Sequence, residues 1–171
     1  DYAPLNVYGQ TKLEGELAVR ELVERFFIVR IAWVFGPSGN NFIKTMLRLG
    51  QTQSTLRVVN DQIGTPTYTL DLARLLVDMI ETEKYGVYHA TNEGEYISWY
   101  DFACAIMQGA GLSCKVEPVT SAEYAAANPA SANRPAWSAL ENRMLRCTVG
   151  DEMRDWQDAL KDFFANWNGE L

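Results

Sequence analysis

Tyr8 and Lys12 stand four residues apart in Tyr8-Gly9-Gln10-Thr11-Lys12. On a helix that spacing puts both on one face, about one turn apart. An ammonium beside a phenol favours the phenolate. A phenol so placed gives or takes a proton at a carbonyl or alcohol oxygen. The spacing also arises by chance in many helices, so an ordinary solvated face stays open as a reading. Gly9 and Gly15 favour the chemical reading, because small residues let a large group lie close to the helix. Other acid–base groups are scarce. His89 is the single histidine, which removes most His-based zinc sites and His-dependent triads; on a strand it reads as a packed or surface residue. Cys104, Cys114 and Cys147 are odd in number and form no CxxC pair, so neither a zinc site nor a disulfide framework is expected. Reduced thiols in the cytoplasm are the simple reading.

The pair must be held by regular elements, and the apolar pattern supplies them. Pro4 to Val23 reads as a long helix, with Pro4 in its first turn and a stripe of Leu13, Leu17, Val19, Leu22 and Val23. Phe26 to Phe35 reads as one nearly continuous apolar strand, as in a parallel sheet buried on both faces. Gly39-Asn40-Asn41 turns into a helix carrying Phe42, Ile43, Met46 and Leu47. Leu56–Val59 is a strand and Asn60–Thr67 a loop. Thr69 suits the N-cap of a helix with Leu72, Leu75, Leu76, Met79 and Ile80. Gly86–Ala90 is a strand. Ser98 caps the next helix, with Ile97 stapled onto Phe102 and Gly109 and Gly111 at its end. Lys115–Val119 is a strand. Thr120 with Glu123 and Ser138 with Glu141 have capping-box spacing. Ala125–Pro135 reads as a surface loop. Trp156, Leu160, Phe163, Phe164 and Trp167 form the apolar side of a last helix, and the acidic run Asp151–Asp158 reads as a solvated face. Alternation of this kind means an α/β fold with a largely parallel sheet.

Composition sets the outer limits. The chain has 171 residues, 47% apolar and 22% charged, with a formal net charge of −7. Those values exclude a disordered, collagen-like or coiled-coil chain. A net acidic chain argues against nucleic acid as partner, though a local cation cluster still suits an anionic ligand. No apolar run approaches the roughly 20 residues that span a bilayer, so no membrane partner is expected. The chain opens on Asp1-Tyr2-Ala3-Pro4 without Met or leader, which reads as a chain entered in its middle.

Pro4-Leu5-Asn6-Val7-Tyr8-Gly9-Gln10-Thr11-Lys12-Leu13-Glu14-Gly15-Glu16 resembles the Tyr-x-x-x-Lys helix of extended short-chain dehydrogenases/reductases, in the form found in dTDP-4-dehydrorhamnose reductases. Further blocks are similar and fall in the same order. They are Arg30–Gly36, Asn40-Asn41-Phe42, Asp61–Thr67, Ser98–Ala103, Arg134-Pro135 with Ser138 and Leu140, and Asp155–Leu160. The resemblance covers nearly the whole chain. It implies the second half of a Rossmann-like parallel sheet plus a small α/β substrate-binding domain. Residues 1–60 would be the C-terminal part of the Rossmann-like domain, and 61–171 mainly the substrate-binding domain, interleaved with a returning sheet strand.

The resemblance also implies a reaction: reduction of the 4-keto group of dTDP-4-dehydro-L-rhamnose by NADPH or NADH, serving dTDP-rhamnose and cell-wall polysaccharide biosynthesis. Tyr8 would protonate the forming oxygen, and Lys12 would hold the nicotinamide ribose. Trp33 would sit beside the sugar, Asn41 would hydrogen-bond the substrate, and Arg134 would bind the diphosphate, where a planar guanidinium meets two oxygens. Each has a plainer reading. Trp33 suits a core, Asn41 a helix cap and Arg134 a surface ion pair, and Asp61, Gln62, Gly64 and Pro66 suit a structural turn.

Two features depart from the family. No Gly-x-Gly-x-x-Gly or Gly-x-x-Gly-x-x-Gly loop occurs in the chain, so the dinucleotide grip and the Ser or Thr that assists the tyrosine would lie upstream. Trp137 stands where Asn is expected, which puts one loop contact in question. The resemblance also allows Mg²⁺ between subunits and a homodimer, with no metal ligand identifiable. The alternatives are a nucleotide-sugar epimerase or dehydratase of the same superfamily, a non-catalytic dinucleotide-binding regulatory subunit, or a half-enzyme inactive by itself.

Overall fold

The computed structural model describes residues 2–150 and 153–169; Asp151 and Glu152, in the acidic run, lie outside them. Helix α1 (Val7–Leu22) is capped by Asn6, whose side chain accepts from Gly9 N. Pro4 therefore precedes the cap rather than filling the first turn. Strand β1 (Phe27–Arg30) follows, then β2 (Val34–Phe35). The apolar run is thus two strands, not one. It breaks at Trp33, whose φ of 46° makes it the one non-glycine residue with positive φ among those described. Helix α2 (Phe42–Thr52) buries Ile43, Met46 and Leu47, matching the stripe read from sequence.

Strand β3 (Thr55–Val59) leads to β4 (Ile63–Gly64) and β5 (Thr67–Tyr68), two short strands inside the segment expected to be loop. Tyr68, not Thr69, is the N-cap of α3 (Thr69–Ile80). Strand β6 (Gly86–His89) and β7 (Ile97–Ser98) precede α4 (Trp99–Gly109). A capping box joins Ser98 and Asp101 at the start of α4. Strand β8 (Lys115–Val119) is followed by α5 (Ser121–Ala127), whose capping box is Thr120 with Glu123. Helices α6 (Arg143–Thr148) and α7 (Trp156–Asn166) end the fold. Ser138 caps nothing: its hydroxyl donates to Ile63 O at 3.1 Å, tying its segment to β4.

Three pairings are parallel, β1 with β6, β2 with β5 and β3 with β8; β4 with β7 is antiparallel. The expected α/β class with a mainly parallel sheet is what the chain forms. Two apolar clusters hold it. The larger joins Phe35, Ile43, Leu47, Phe102, Ile106 and Phe163. The smaller packs Leu75, Met79, Tyr88 and Leu145 beside Phe27 and Val29.

Between the clusters runs a buried polar lock. Arg154 donates to both carboxylate oxygens of Asp71, at 2.8 and 2.7 Å, and to Asp162 at 2.9 Å. Asn92 donates to Asp71 Oδ2 at 2.8 Å and accepts from Tyr68 N at 2.7 Å. Beside it, Asn142 accepts from Thr91 N and donates to Thr91 O. These bonds tie α3, β5 and the segment entering α7 into one unit.

Helix α1 contributes no buried residue. Its apolar stripe is present, but Leu17, Val19, Leu22 and Val23 are exposed. Strand β1, by contrast, is half-buried. The polar tie between them is Glu16, which accepts from Arg30 Nε at 2.9 Å and Nη2 at 2.5 Å. Those hydrogen bonds hold the Glu16 carboxyl below its ordinary value. Its stabilising contribution is complete above the ordinary carboxylate range and is lost as pH falls through the lowered value. Glu16→Gln is expected to lower Tm near neutral pH, with the difference closing in acid. Thermal melts across pH check this; a difference constant at all pH contradicts it.

Candidate functional site

A cleft of about 530 Å³ opens beside the start of α1. Tyr8, Trp33 and Arg134 all line it, together with Asn6, Gln62, Trp99 and Ser138. Three of the residues singled out in the sequence thus meet at one place from three distant segments. The lining contains one cation, Arg134, and no carboxylate. A chain of net charge −7 therefore presents a site with a local positive end, suited to an anionic ligand.

Tyr8 comes from the first turn of α1 and is 72% exposed. Its position follows from the Asn6 cap, which starts the helix directly before it. Asn6 also donates to Asn133 O at 3.1 Å. That bond fastens the loop carrying Arg134 to the helix carrying Tyr8. Lys12 lies one turn further along α1, exposed and beyond the cleft lining. A Cβ at Gly15 would meet open space, whereas one at Gly9 would come within 3.1 Å of Pro4. The surface beside Lys12 is therefore open, while the small size of Gly9 serves the entry of its own chain.

Trp33 occupies the break between β1 and β2. Left-handed backbone costs a non-glycine residue roughly 1–2 kcal/mol, so other contacts must hold it there. Thr67 N donates to Trp33 O at 3.1 Å and Thr67 Oγ1 to Ala32 O at 2.5 Å. The Trp33 indole stacks on Trp99 with centroids 3.6 Å apart and planes 12° from parallel. Its edge enters a notch at Gly64, where a Cβ would lie 2.4 Å from Trp33 Cε2. Trp99 is the first residue of α4, set by the Ser98–Asp101 capping box, and is braced by Phe42 at 4.6 Å.

Asn41 is placed elsewhere. Its side chain accepts from Lys44 N at 3.1 Å, capping α2, and donates to Gly36 O at 2.8 Å; it does not line the cleft. Asp61 and Gln62 both bond to Ser121 at the start of α5. Asp61 accepts from Ser121 N and from Ser121 Oγ at 2.6 Å, and these bonds hold its carboxyl below the ordinary range. Gln62 donates to Ser121 Oγ at 2.9 Å while facing the cleft. Trp137 pairs its backbone with Ile63 and sets its exposed ring edge-on to Tyr96, outside the cleft lining. His89 Nδ1 lies 3.1 Å from Glu141 O, so it is a packing residue on β6.

Sequence reasoning missed Trp99 and Asn6, and read Gln62, which faces the cleft, as part of a structural turn. Trp99 had one signal: an aromatic at the first position of a capped helix, ahead of the apolar stripe that enters the core. Among the described residues, no three His, Cys, Asp or Glu side chains are grouped to hold a metal ion, and no helix is long and apolar enough to cross a membrane. The three cysteines are free.

The arrangement is a proton-bearing phenol, an aromatic wall and a guanidinium around one cleft. Known proteins share its framework. The model of the RmlD substrate binding domain matches residues 1–168. The dTDP-4-dehydrorhamnose reductase of Aggregatibacter actinomycetemcomitans is 44% identical over 170 residues, covering 95% of this chain and 58% of that protein. A crystal structure of the corresponding reductase from Clostridium acetobutylicum superposes with a TM-score of 0.90 at 46% identity, covering 96% of this chain and 57% of that one. The reductase from Bacillus anthracis, solved in complex with NADP, gives 0.88 at 41% identity, covering 96% and 56%. The chain thus spans a little over half the length of the relatives it matches. By the match of the domain model along almost its whole length, the chain belongs to the RmlD substrate binding domain family.

Proposed function

We propose that this chain forms the substrate-binding and proton-donating part of a dTDP-4-dehydrorhamnose reductase, which reduces the 4-keto group of dTDP-4-dehydro-L-rhamnose. The observation that carries the reading is the cleft itself. It brings Tyr8, Trp33 and Arg134 together around a space with no acidic lining. The similarity to reductases at 41–46% identity supports the same substrate class.

The residues divide the work as follows. Arg134 binds the diphosphate through paired N–H donors. Trp33 lies beside the sugar. The Tyr8 hydroxyl delivers a proton to the C4 oxygen as the carbonyl is reduced. Lys12, one turn along the same face, holds the nicotinamide ribose and keeps positive charge near the phenol. Asn41 fixes the turn after β2 and caps α2, so it shapes the site from outside the cleft. A nicotinamide dinucleotide, NADPH or NADH, supplies the hydride when bound. The residues present suit that group: Tyr8 and Lys12 are exposed at the start of α1, and the surface over Gly15 is open.

The grip on the dinucleotide phosphates we assign to residues outside this sequence, because the chain contains no glycine-rich fingerprint. The exposed apolar face of α1 would be covered by that same portion. We read α1, β1 and the returning strand β6 as the dinucleotide-side domain and most of residues 61–171 as the substrate domain, with α2 and β3 packed into the larger apolar cluster beside α4 and α7. This reading places the activity in the cytoplasm and allows a homodimer.

The test is titration calorimetry with NADPH. The 171-residue chain by itself is expected to show no appreciable binding and no turnover, and a full-length protein carrying the sequence to bind. Micromolar binding to the chain alone would contradict the assignment of the cofactor grip.

A further inference from the structure

We propose that Trp99 and Gly64 are positioning residues that hold the Trp33 indole as a rigid flat wall before the nucleotide sugar arrives. The inference rests on the reductase reading for the identity of the ligand, but not for the geometry of the wall.

Trp33 is the one non-glycine residue in left-handed backbone among those described. Glycine would take that conformation without strain. The backbone bonds from Thr67 to Trp33 O and Ala32 O involve no side-chain atom of residues 32 or 33, so they would serve glycine equally. What glycine would lack is the indole. Strained residues persist where the surroundings over-determine them, and they cluster at ligand sites.

The surroundings here do over-determine the ring. One face lies on Trp99 at 3.6 Å and 12°. Trp99 is itself held, with Phe42 tilted against it at 4.6 Å and its turn fixed by the capping box. The ring edge fills the notch at Gly64, which any side chain there would close. Simple core filling does not need this arrangement. Phe35, two residues on, is fully buried in ordinary strand, whereas Trp33 stays half-buried and lines the cleft. A wall fixed in advance spares the ligand the entropy of ordering a large side chain on binding.

The experiment uses the full-length protein and three variants, Trp99→Leu, Trp99→Phe and Gly64→Ala. Circular dichroism of the ligand-free protein reads the exciton couplet of the stacked indoles. Steady-state kinetics give KM and kcat for dTDP-4-dehydro-L-rhamnose, and calorimetry gives the affinity for dTDP. Trp99→Leu is expected to abolish the couplet and raise KM about tenfold, with kcat changed by less than about twofold. Trp99→Phe restores a flat support and recovers most of the affinity. Gly64→Ala, which adds a methyl under the ring, raises KM in the same direction. Loss of the couplet with KM unchanged would overturn the proposal, as would a couplet that survives Trp99→Leu. Should Gly64→Ala fail to fold, the two Trp99 variants decide alone. A wild-type protein with the couplet but no affinity for the nucleotide sugar would refute the reductase reading and leave the preformed wall standing.

Discussion

Tyr8→Phe in the full-length protein is expected to lower kcat by about 10²–10⁴-fold while leaving nucleotide-sugar affinity within a few-fold of the parent. The argument is one of elimination and placement. His89 is the sole histidine and sits on β6 against Glu141 O. The cleft lining has no carboxylate, and Tyr8 is its one phenol. The phenyl ring of the variant keeps the shape of the wall, so binding survives while the proton donor is gone. Lys12→Ala should lower both kcat and cofactor affinity, since it has two roles. The double variant should fall short of the summed effects, because both residues serve one transfer. Steady-state kinetics with calorimetry check this. A Tyr8→Phe enzyme with near-normal kcat would move the proton donor elsewhere and favour a non-catalytic binding subunit.

The largest effect on stability is expected from Asp71→Ala. Asp71 is only 8% exposed, yet it accepts two bonds from Arg154 and one from Asn92. Removing it takes from the Arg154 guanidinium its two-bond partner, leaving Asp162 alone, and from the Asn92 amide one of its two acceptors. Because Arg154 is one-third exposed and keeps Asp162, the loss is expected to be about 2–3 kcal/mol, which for a chain of this size lowers Tm by roughly 8 °C. The damage should be smaller when Arg154 is replaced by Leu in the same molecule, because the stranded charge is then removed. Denaturant or thermal unfolding measures both. A loss below about 1 kcal/mol for Asp71→Ala would mean that the lock contributes no more than a surface ion pair.

How much of this was legible in the sequence depended on how local the cause was. The helices α2, α3, α4 and α7 follow from 3.6-residue apolar periodicity, and the caps at Ser98 and Thr120 from short-range hydrogen-bond chemistry. The break at Trp33 has no local signal, because Phe26 to Phe35 is apolar apart from Arg30 and contains neither Gly nor Pro. It is imposed by Thr67, Trp99 and Gly64, all distant in sequence. Strands β4 and β5 were hidden for a similar reason: each is two residues long and exists through partners elsewhere. Ser138 shows the reverse error. Its capping spacing with Glu141 is genuine, but β4 competes for the hydroxyl and wins.

The candidate site divides along the same line. Tyr8, Trp33 and Arg134 stood out by residue type and by motif, and the fold places them on one cleft. Asn41 stood out equally, yet its side chain is engaged at the start of α2. Trp99 entered only as the opening of a capped helix. Its part in the cleft comes from stacking on Trp33, which no spacing in the sequence announces.

The most direct test of the central claim is turnover by the full-length protein with dTDP-4-dehydro-L-rhamnose and NADPH. The account predicts that loss of nicotinamide absorbance matches formation of dTDP-L-rhamnose mole for mole, and that Tyr8→Phe suppresses both together. Conversion of the sugar without net NADPH consumption, as an epimerase or dehydratase would give, or no conversion at all by a protein that binds both molecules, would contradict it.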